Sequence, residues 1–497
     1  MISPRTLLSL CVLLLALPGC SFPSAATAAQ SPVANAAPDW ADRSLYRAGL
    51  VQADRPVLDG LAGATVYALD LTIQADLVHV DWTESVHYTN RSGGALDEID
   101  LHLFPNLLGG KLSLGAVDAN GKAVTPVTSL MDSLLRVPLD PPLPAGQVED
   151  LEIAFNLQVP TNLDAGYGVL ASTGGVLTLA HSYPTVAVLG PGGWDTELPS
   201  PWGDMLNNEM CFYLVRVDAP ADLTLVATGR QVDSTRRGDR QQVTFADGPA
   251  RDFFLAASAG FARTSRTVGE VTVNSYAPQG DEAQSRLALD SAAAALQDFS
   301  GRYAAYPYTE YDLVSVPTNA LGIEYPGLVA ILGGLYASPT PENQRTLEFT
   351  VVHETGHQWF YNLVGDNQLD EPWLDESLAQ FVTGQYYTDR YGAAAAQIFE
   401  QQVFQADWNV VQDANLPIGK PVRAYTPDQY LGIVYGRGPL FFQALEGQIG
   451  QAAFDRFLRD YTTRYAWGIA TGAGLQRVAE LDCGCDLTSI FQEWVNP

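Results

Sequence analysis

Between about Ala64 and Ser258 the apolar residues recur with a period of two. Tyr67, Leu69, Leu71 and Ile73 alternate with Ala68, Asp70, Thr72 and Gln74, and Val78, Val80 and Trp82 continue the pattern. Ile99, Leu101 and Leu103 repeat it, and Leu151, Ile153, Phe155, Leu157 and Val159 give it in its cleanest form. Successive side chains of a strand point to opposite faces, so such segments are strands with one buried face. Many in a row predict a β-sandwich. Beyond Leu223, Leu225, Val243, Phe245 and Phe253 the period changes. Asp281 and Gln284 have the spacing of a capping box, and Leu289, Ala292, Leu296 and Phe299 then line one helical face before Gly301, the expected stop. A short strand is expected at Tyr311 to Val316. Thr340-Pro341 has the form of an N-cap followed by a first-turn proline, opening a helix expected to carry Leu347, Val351 and Phe360. At 497 residues the chain exceeds one ordinary core. The predicted fold class is therefore multidomain β plus α/β: an N-terminal β-sandwich followed by a mainly helical domain.

The N-terminus has the form of a targeting segment. Arg5 precedes an uncharged apolar run from Leu7 to Leu17, too short for a membrane span and suited to a signal sequence. Leu17-Pro18-Gly19-Cys20 resembles a bacterial lipobox, with Cys20 as the lipidated first mature residue; the alternative is ordinary cleavage near Ala25 to Ala29. Ser21 to Pro38 is rich in Ala, Ser and Pro. The expected organisation is a signal peptide over 1–19, a flexible tether over 20–45, the sandwich over 46–262 and the helical domain over 263–497. The expected location is outside the cytoplasm, on the outer side of the bacterial cytoplasmic membrane or in the outer membrane, with the lipid as the only membrane contact. A formal charge of -29 would repel phosphate backbones and excludes nucleic acid as an expected partner. Cys211 stands alone, and Cys483-Gly484-Cys485 is too close-set for a relaxed disulfide.

The chemistry is concentrated in Val352-His353-Glu354-Thr355-Gly356-His357. Two histidines four apart share a helical face, so both imidazoles can reach one ion, and Glu354 can reach a water on that ion. Two histidines leave a zinc site one protein ligand short. Glu376, 19 positions after His357 in a second helix expected to open near Pro372, can return a carboxylate to the free side; Asp370, Glu371 and Asp375 are its rivals. A His-His-Glu set with an open position is the pattern of a catalytic, not a structural, zinc site. Leu363 occupies the position where a metzincin would have its third histidine.

His353-Glu354-x-x-His357, eighteen residues and Glu376 resemble the gluzincin aminopeptidases of the alanyl aminopeptidase and leukotriene hydrolase type. Trp359-Phe360 and Trp373-Leu374-Asp375-Glu376-Ser377 extend the likeness, with Asp375 and Ser377 where the family usually has Asn and Gly. Gly322-Ile323-Glu324-Tyr325-Pro326-Gly327 resembles the family's Gly-x-Met-Glu-Asn segment. Val434-Tyr435-Gly436-Arg437-Gly438 resembles the segment with its catalytic tyrosine. The resemblance covers about residues 60–497, without the large C-terminal helical domain common in the family, and implies a thermolysin-like catalytic domain with one zinc. It further implies that Glu324, with Gly322 beside it, binds the α-amine of a peptide and that Leu328 to Leu332 pairs with the peptide backbone. Tyr435 would donate to the tetrahedral oxyanion. The sandwich residue that shares the amine site in relatives is not evident, although His181 to Pro184 lies in about the right region.

The expected function is zinc-dependent hydrolysis of the N-terminal peptide bond, with Glu354 as general base. A thermolysin-like endopeptidase, whose third ligand is spaced one residue further, is the alternative within the clan. A catalytically inactive surface binding lipoprotein is the alternative of another class; it predicts loss of a ligand or of Glu354, and all four are present.

Overall fold

Period-two alternation becomes pleated sheet with its apolar face turned inward. Strand Val66–Ile73 pairs antiparallel with His79–Thr89, placing Leu71 opposite Trp82, and parallel with Cys211–Pro220. These strands lie inside an eight-stranded sheet, accompanied by two four-stranded sheets. Leu69, Leu71, Trp82, Ile153, Phe155 and Val215 are all buried in one apolar cluster, with Trp82 stacked on Phe155 at 5.5 Å. The computed structural model describes residues 39–496. The signal segment, Cys20 and most of the expected tether lie outside the described residues. The end of that tether is packed: Trp40 stacks on His87, and the Arg43 guanidinium lies 4.3 Å over the Phe212 ring.

The second half is built on a five-stranded mixed sheet. Its spatial order is Phe261–Val268, Val271–Pro278, Glu310–Val316, Leu328–Leu332 and Gly322–Tyr325. Phe261–Val268 already belongs to this sheet, so the change-over expected at 262–263 falls inside a strand. Helix Glu282–Arg302 connects two parallel strands as a crossover and buries Leu289, Ala292, Leu296 and Phe299, the face expected from their spacing. Asp281 occupies the N-cap but makes no side-chain cap bond, and the helix runs through Gly301 to Arg302.

Two boundaries near the metal motif differ from expectation. Thr340 does cap helix Pro341–Gly356, its hydroxyl accepting the Asn343 N–H at 3.1 Å. The helix stops at Gly356, however, leaving His357 at the C-cap and Phe360 beyond the end. The chain then turns, with the Asn362 N–H bonded to the His357 carbonyl. The return helix, Glu376–Tyr391, opens at Glu376 itself and not near Pro372; Asp375 Oδ1 accepts the Glu376 N–H at 2.7 Å.

Cys483 and Cys485 form a disulfide, against the expectation from their spacing. Gly484 takes a left-handed conformation (φ 63°) after the helix ends, turning the chain enough to set the two Cα atoms 5.2 Å apart. No helix among the described residues is long and apolar enough to cross a membrane.

The sandwich core continues into the second half. Tyr325, Leu328, Ala330, Val314, Val316 and Tyr361 belong to the same apolar cluster as the sandwich strands. The edge of the five-stranded sheet and the turn after the metal motif are thereby packed against the sandwich, and the site lies along that seam.

Candidate metal centre and its cleft

His353 is in the last turn of its helix, His357 at the C-cap, and Glu376 is the first residue of the return helix. This converts 23 residues of sequence separation into contact. His353 Nε2 lies 3.2 Å from His357 Nε2 and 3.2 Å from Glu376 Oε2, and His357 Nε2 lies 3.3 Å from the same oxygen. Ligand atoms held ~2.0–2.1 Å from a tetrahedral zinc stand roughly 3.3–3.4 Å apart. The three atoms therefore already form one face of such a tetrahedron. His357 Nδ1–H donates to the Phe360 carbonyl at 3.0 Å, which leaves Nε2 free to bind a cation. All three residues are buried. The rival ligands are engaged elsewhere. Asp375 holds the Glu376 N–H and Gln368, Asp370 pairs with Arg423 at 2.7 Å, and Glu371 accepts the Gly472 N–H at 2.9 Å.

Glu354 lies on the side facing the sheet edge. A Cβ at Gly322 would stand 2.5–2.7 Å from Oε1, Cγ and Cδ of Glu354, so this strand position requires glycine. Burial pushes the Glu354 carboxyl well above the usual carboxylate range; His357 opposes the rise, and Glu324 and Glu376 add to it. Tyr435 rises from a π-helical segment, Leu431–Arg437, and its hydroxyl donates to Glu376 Oε1. Its ring centroid is 5.9 Å from that of His353.

Glu324 is buried on strand Gly322–Tyr325 and accepts the Gln368 amide N–H at 2.9 Å, while the same amide reaches Asp375 Oδ2 at 2.9 Å. Asp204, from the loop after Pro201-Trp202-Gly203, brings a third carboxylate. One oxygen each of Asp204, Glu324 and Asp375 lie within 4.8 Å of one another. Sequence reasoning missed Asp204 and Gln368, because both come from loops without periodicity. The Pro-Gly loop signal around Gly203 was the only hint. His181, the position considered instead, lies 3.1 Å from Asp252.

The strand expected to pair with a peptide is a further correction. Leu328–Leu332 is paired on both sides, by Glu310–Val316 and by Gly322–Tyr325, so it has no free edge. The open edge belongs to Gly322–Tyr325, which ends the sheet. Two cavities meet at this strand. One, of about 510 Å³, contains the metal ligands, Glu354, Tyr435, Trp202, Phe349 and Leu431. The other, of about 350 Å³, is largely apolar and runs toward the sandwich past Leu107, Met205, Leu206 and Tyr325. Tyr167, Gly203, Asp204, Ile323 and Glu324 line both, and neither lining includes a lysine or an arginine.

Residues 287–494 match the family model described as the Peptidase family M1 domain. That match spans the helical half with the metal motif and is what this part of the chain is similar to. Among curated proteins, the chain is similar to "Probable aminopeptidase 2" of Sulfurisphaera tokodaii, 24% identical over 301 residues, 56% of this chain and 37% of the relative. It is also similar to "Aminopeptidase N" of Streptomyces lividans, 27% identical over 201 residues, 38% of this chain and 23% of the relative. The chain thus matches well under half the length of these relatives. Among solved structures, the M1 zinc metallopeptidase from Deinococcus radiodurans superposes with a TM-score of 0.65 at 19% identity, over 87% of this chain and 94% of that one. At that identity the likeness establishes a common fold.

Proposed function

We propose that this chain is a zinc aminopeptidase that removes the first residue of peptides. One observation carries the reading: the metal-binding face adjoins a three-carboxylate pocket, Asp204, Glu324 and Asp375, whose one side-chain amide donor is Gln368. Three carboxylates so close together call for a cation, and a peptide's α-ammonium can supply it where the strand edge begins.

His353, His357 and Glu376 would hold the zinc, which supplies Lewis acidity and makes hydroxide available near neutral pH. Glu354, against Gly322, takes a proton from the attacking water and returns it to the leaving amine. The Tyr435 hydroxyl, which donates to Glu376, would turn to the oxyanion of the tetrahedral intermediate. Glu324 and Asp204 hold the ammonium, and the free edge of Gly322–Tyr325 aligns the backbone by strand addition. The amine anchor stands between the two cavities, which sends the first side chain toward the apolar one and the rest of the peptide across the metal.

An aminopeptidase reads the free amine, so a free peptide should be cleaved at its first bond and its acetylated twin largely spared. Glu324→Gln should reduce that discrimination while metal content stays unchanged. Comparable cleavage of both peptides at internal bonds would replace this reading with the endopeptidase one. By its composition the N-terminal segment supports export and lipid anchoring at Cys20. On that proposal, Cys20→Ser moves the protein from the detergent phase to the aqueous phase, and a wild-type protein found wholly in water refutes it.

A further inference from the structure

Tyr435 sits in a π-helical turn, and that turn has a defect. In π geometry the carbonyl of residue i accepts the N–H of residue i+5. The Gly438 N–H obeys this and bonds the Ile433 carbonyl. The next carbonyl, that of Val434, would need the N–H of residue 439, which is Pro439 and has none. Val434 is buried, so water does not make up the loss. The missing donor comes from another element: Ser377 Oγ, at 0% exposure, donates to the Val434 carbonyl at 2.6 Å.

The two ends of this bond adjoin the site. Ser377 follows the metal ligand Glu376, and Val434 precedes Tyr435. A Cβ at Gly438 would collide with the Ser377 hydroxyl, so the two segments touch with no room for a side chain between them. The glycine of the resembled motif would offer no hydroxyl here.

We infer that Ser377 is a positioning residue that sets the Tyr435 hydroxyl relative to the metal ligands, through its hydrogen bond to the Val434 carbonyl. The inference rests on the reading of Tyr435 as oxyanion donor. Ser377 touches neither substrate nor metal; it fixes the backbone from which the tyrosine projects. Without it, a buried carbonyl with no donor can be satisfied only by rearranging the turn.

The test is steady-state kinetics of Ser377→Ala on a free peptide, with metal content measured alongside. A decrease in kcat of about ten-fold is expected, at a KM within about two-fold and with full metal content. In a Tyr435→Phe background the same substitution should add almost nothing, because both act through one hydroxyl. Pro439→Ala returns an N–H to the turn, so Ser377→Ala/Pro439→Ala should recover most of the lost kcat. Wild-type kcat in Ser377→Ala, full additivity with Tyr435→Phe, loss of metal, or a folded double variant without recovery would each overturn the inference. If Tyr435→Phe itself keeps wild-type kcat, the reading of Tyr435 fails; if only Ser377→Ala does, that reading stands and this inference falls.

Discussion

Glu354 and Glu376 each bring a carboxylate oxygen within 4.8 Å of a His357 ring nitrogen and are driven in opposite directions. Burial raises the Glu354 carboxyl, whereas at Glu376 the same burial is overcome by His357 and His353, which hold it well below the usual range. One carboxylate suits proton transfer and the other suits ligation, and this gives separable predictions. Glu354→Gln should retain metal and fold while losing nearly all turnover of a free peptide; an active, metallated variant would remove Glu354 from the chemistry. Tyr435→Phe should lower kcat by about 10²–10³ with little change in KM, the loss expected for one oxyanion donor. An unchanged kcat would turn attention to Tyr430, whose ring centroid is 5.8 Å from that of Tyr435. The metal ligands were legible in the sequence because helical spacing fixes two of them and a short return the third. Asp204 and Gln368 were not, since their approach depends on how loops cross the seam, and neither spacing nor composition encodes that.

The elements were legible where packing and period agree. Leu151 to Val159 alternate as one face of a strand must, and Leu289 to Phe299 recur as one face of a helix must. Sheet order was not legible: nothing in Leu328–Leu332 or Gly322–Tyr325 says which of the two ends the sheet, and the wrong one was expected to take the peptide. The π-helical turn was equally hidden, because the donor that Pro439 withholds from it comes from a serine 62 positions earlier. Thr340→Ala tests an element-scale reading that held. It should lower stability by about 1 kcal/mol, the usual effect of losing an N-cap, without changing metal affinity; an unchanged denaturant midpoint would show that the cap is not needed. Strand Arg240–Ala250 gives a pH prediction. Burial pushes the Asp247 carboxyl from 3.8 up to about 8; the Thr228 side chain opposes the rise and Asp252 adds to it. The folded chain therefore keeps a proton that the unfolded chain has released, so this stability, full below pH ~4, is lost as pH rises toward about 8. Asp247→Asn should melt above wild type at pH 8, with the gap closing toward pH 4. Equal melting at both values would refute the assignment.

At the scale of the whole molecule, one arginine joins the parts whose meeting makes the site. Arg251 follows the last long sandwich strand and is 2% exposed. Nε donates to the Asn362 carbonyl at 3.0 Å, in the turn after the metal motif, and Nη1 to the Asn208 carbonyl at 2.8 Å, four residues beyond Asp204. Nη2 donates to the Gly468 carbonyl, in the C-terminal helical region. Three segments far apart in sequence thus converge on one guanidinium, and Gly365 must be glycine because a Cβ there would collide with it. Burial lowers the Arg251 pKa, and Tyr361 and Asp366 oppose the fall. Arg251→Ala would take the donor from the Asn362 and Asn208 carbonyls, while the Gly468 carbonyl keeps the Gly365 N–H at 3.0 Å; a loss of about 3–5 kcal/mol is expected. Arg251→Lys should recover little of it, because a single ammonium cannot reproduce the planar fork that these diverging carbonyls require. The position of the Asn208 carbonyl adds a functional consequence. Loosening that loop should displace Asp204 before it disturbs His353, in the last turn of its helix, or His357 at the C-cap, whose ring is held by the Phe360 carbonyl. Arg251→Lys, measured below its melting temperature, should therefore keep its metal while its KM for a free peptide rises. A lysine variant with wild-type melting and wild-type KM would show that the seam is held by apolar packing alone.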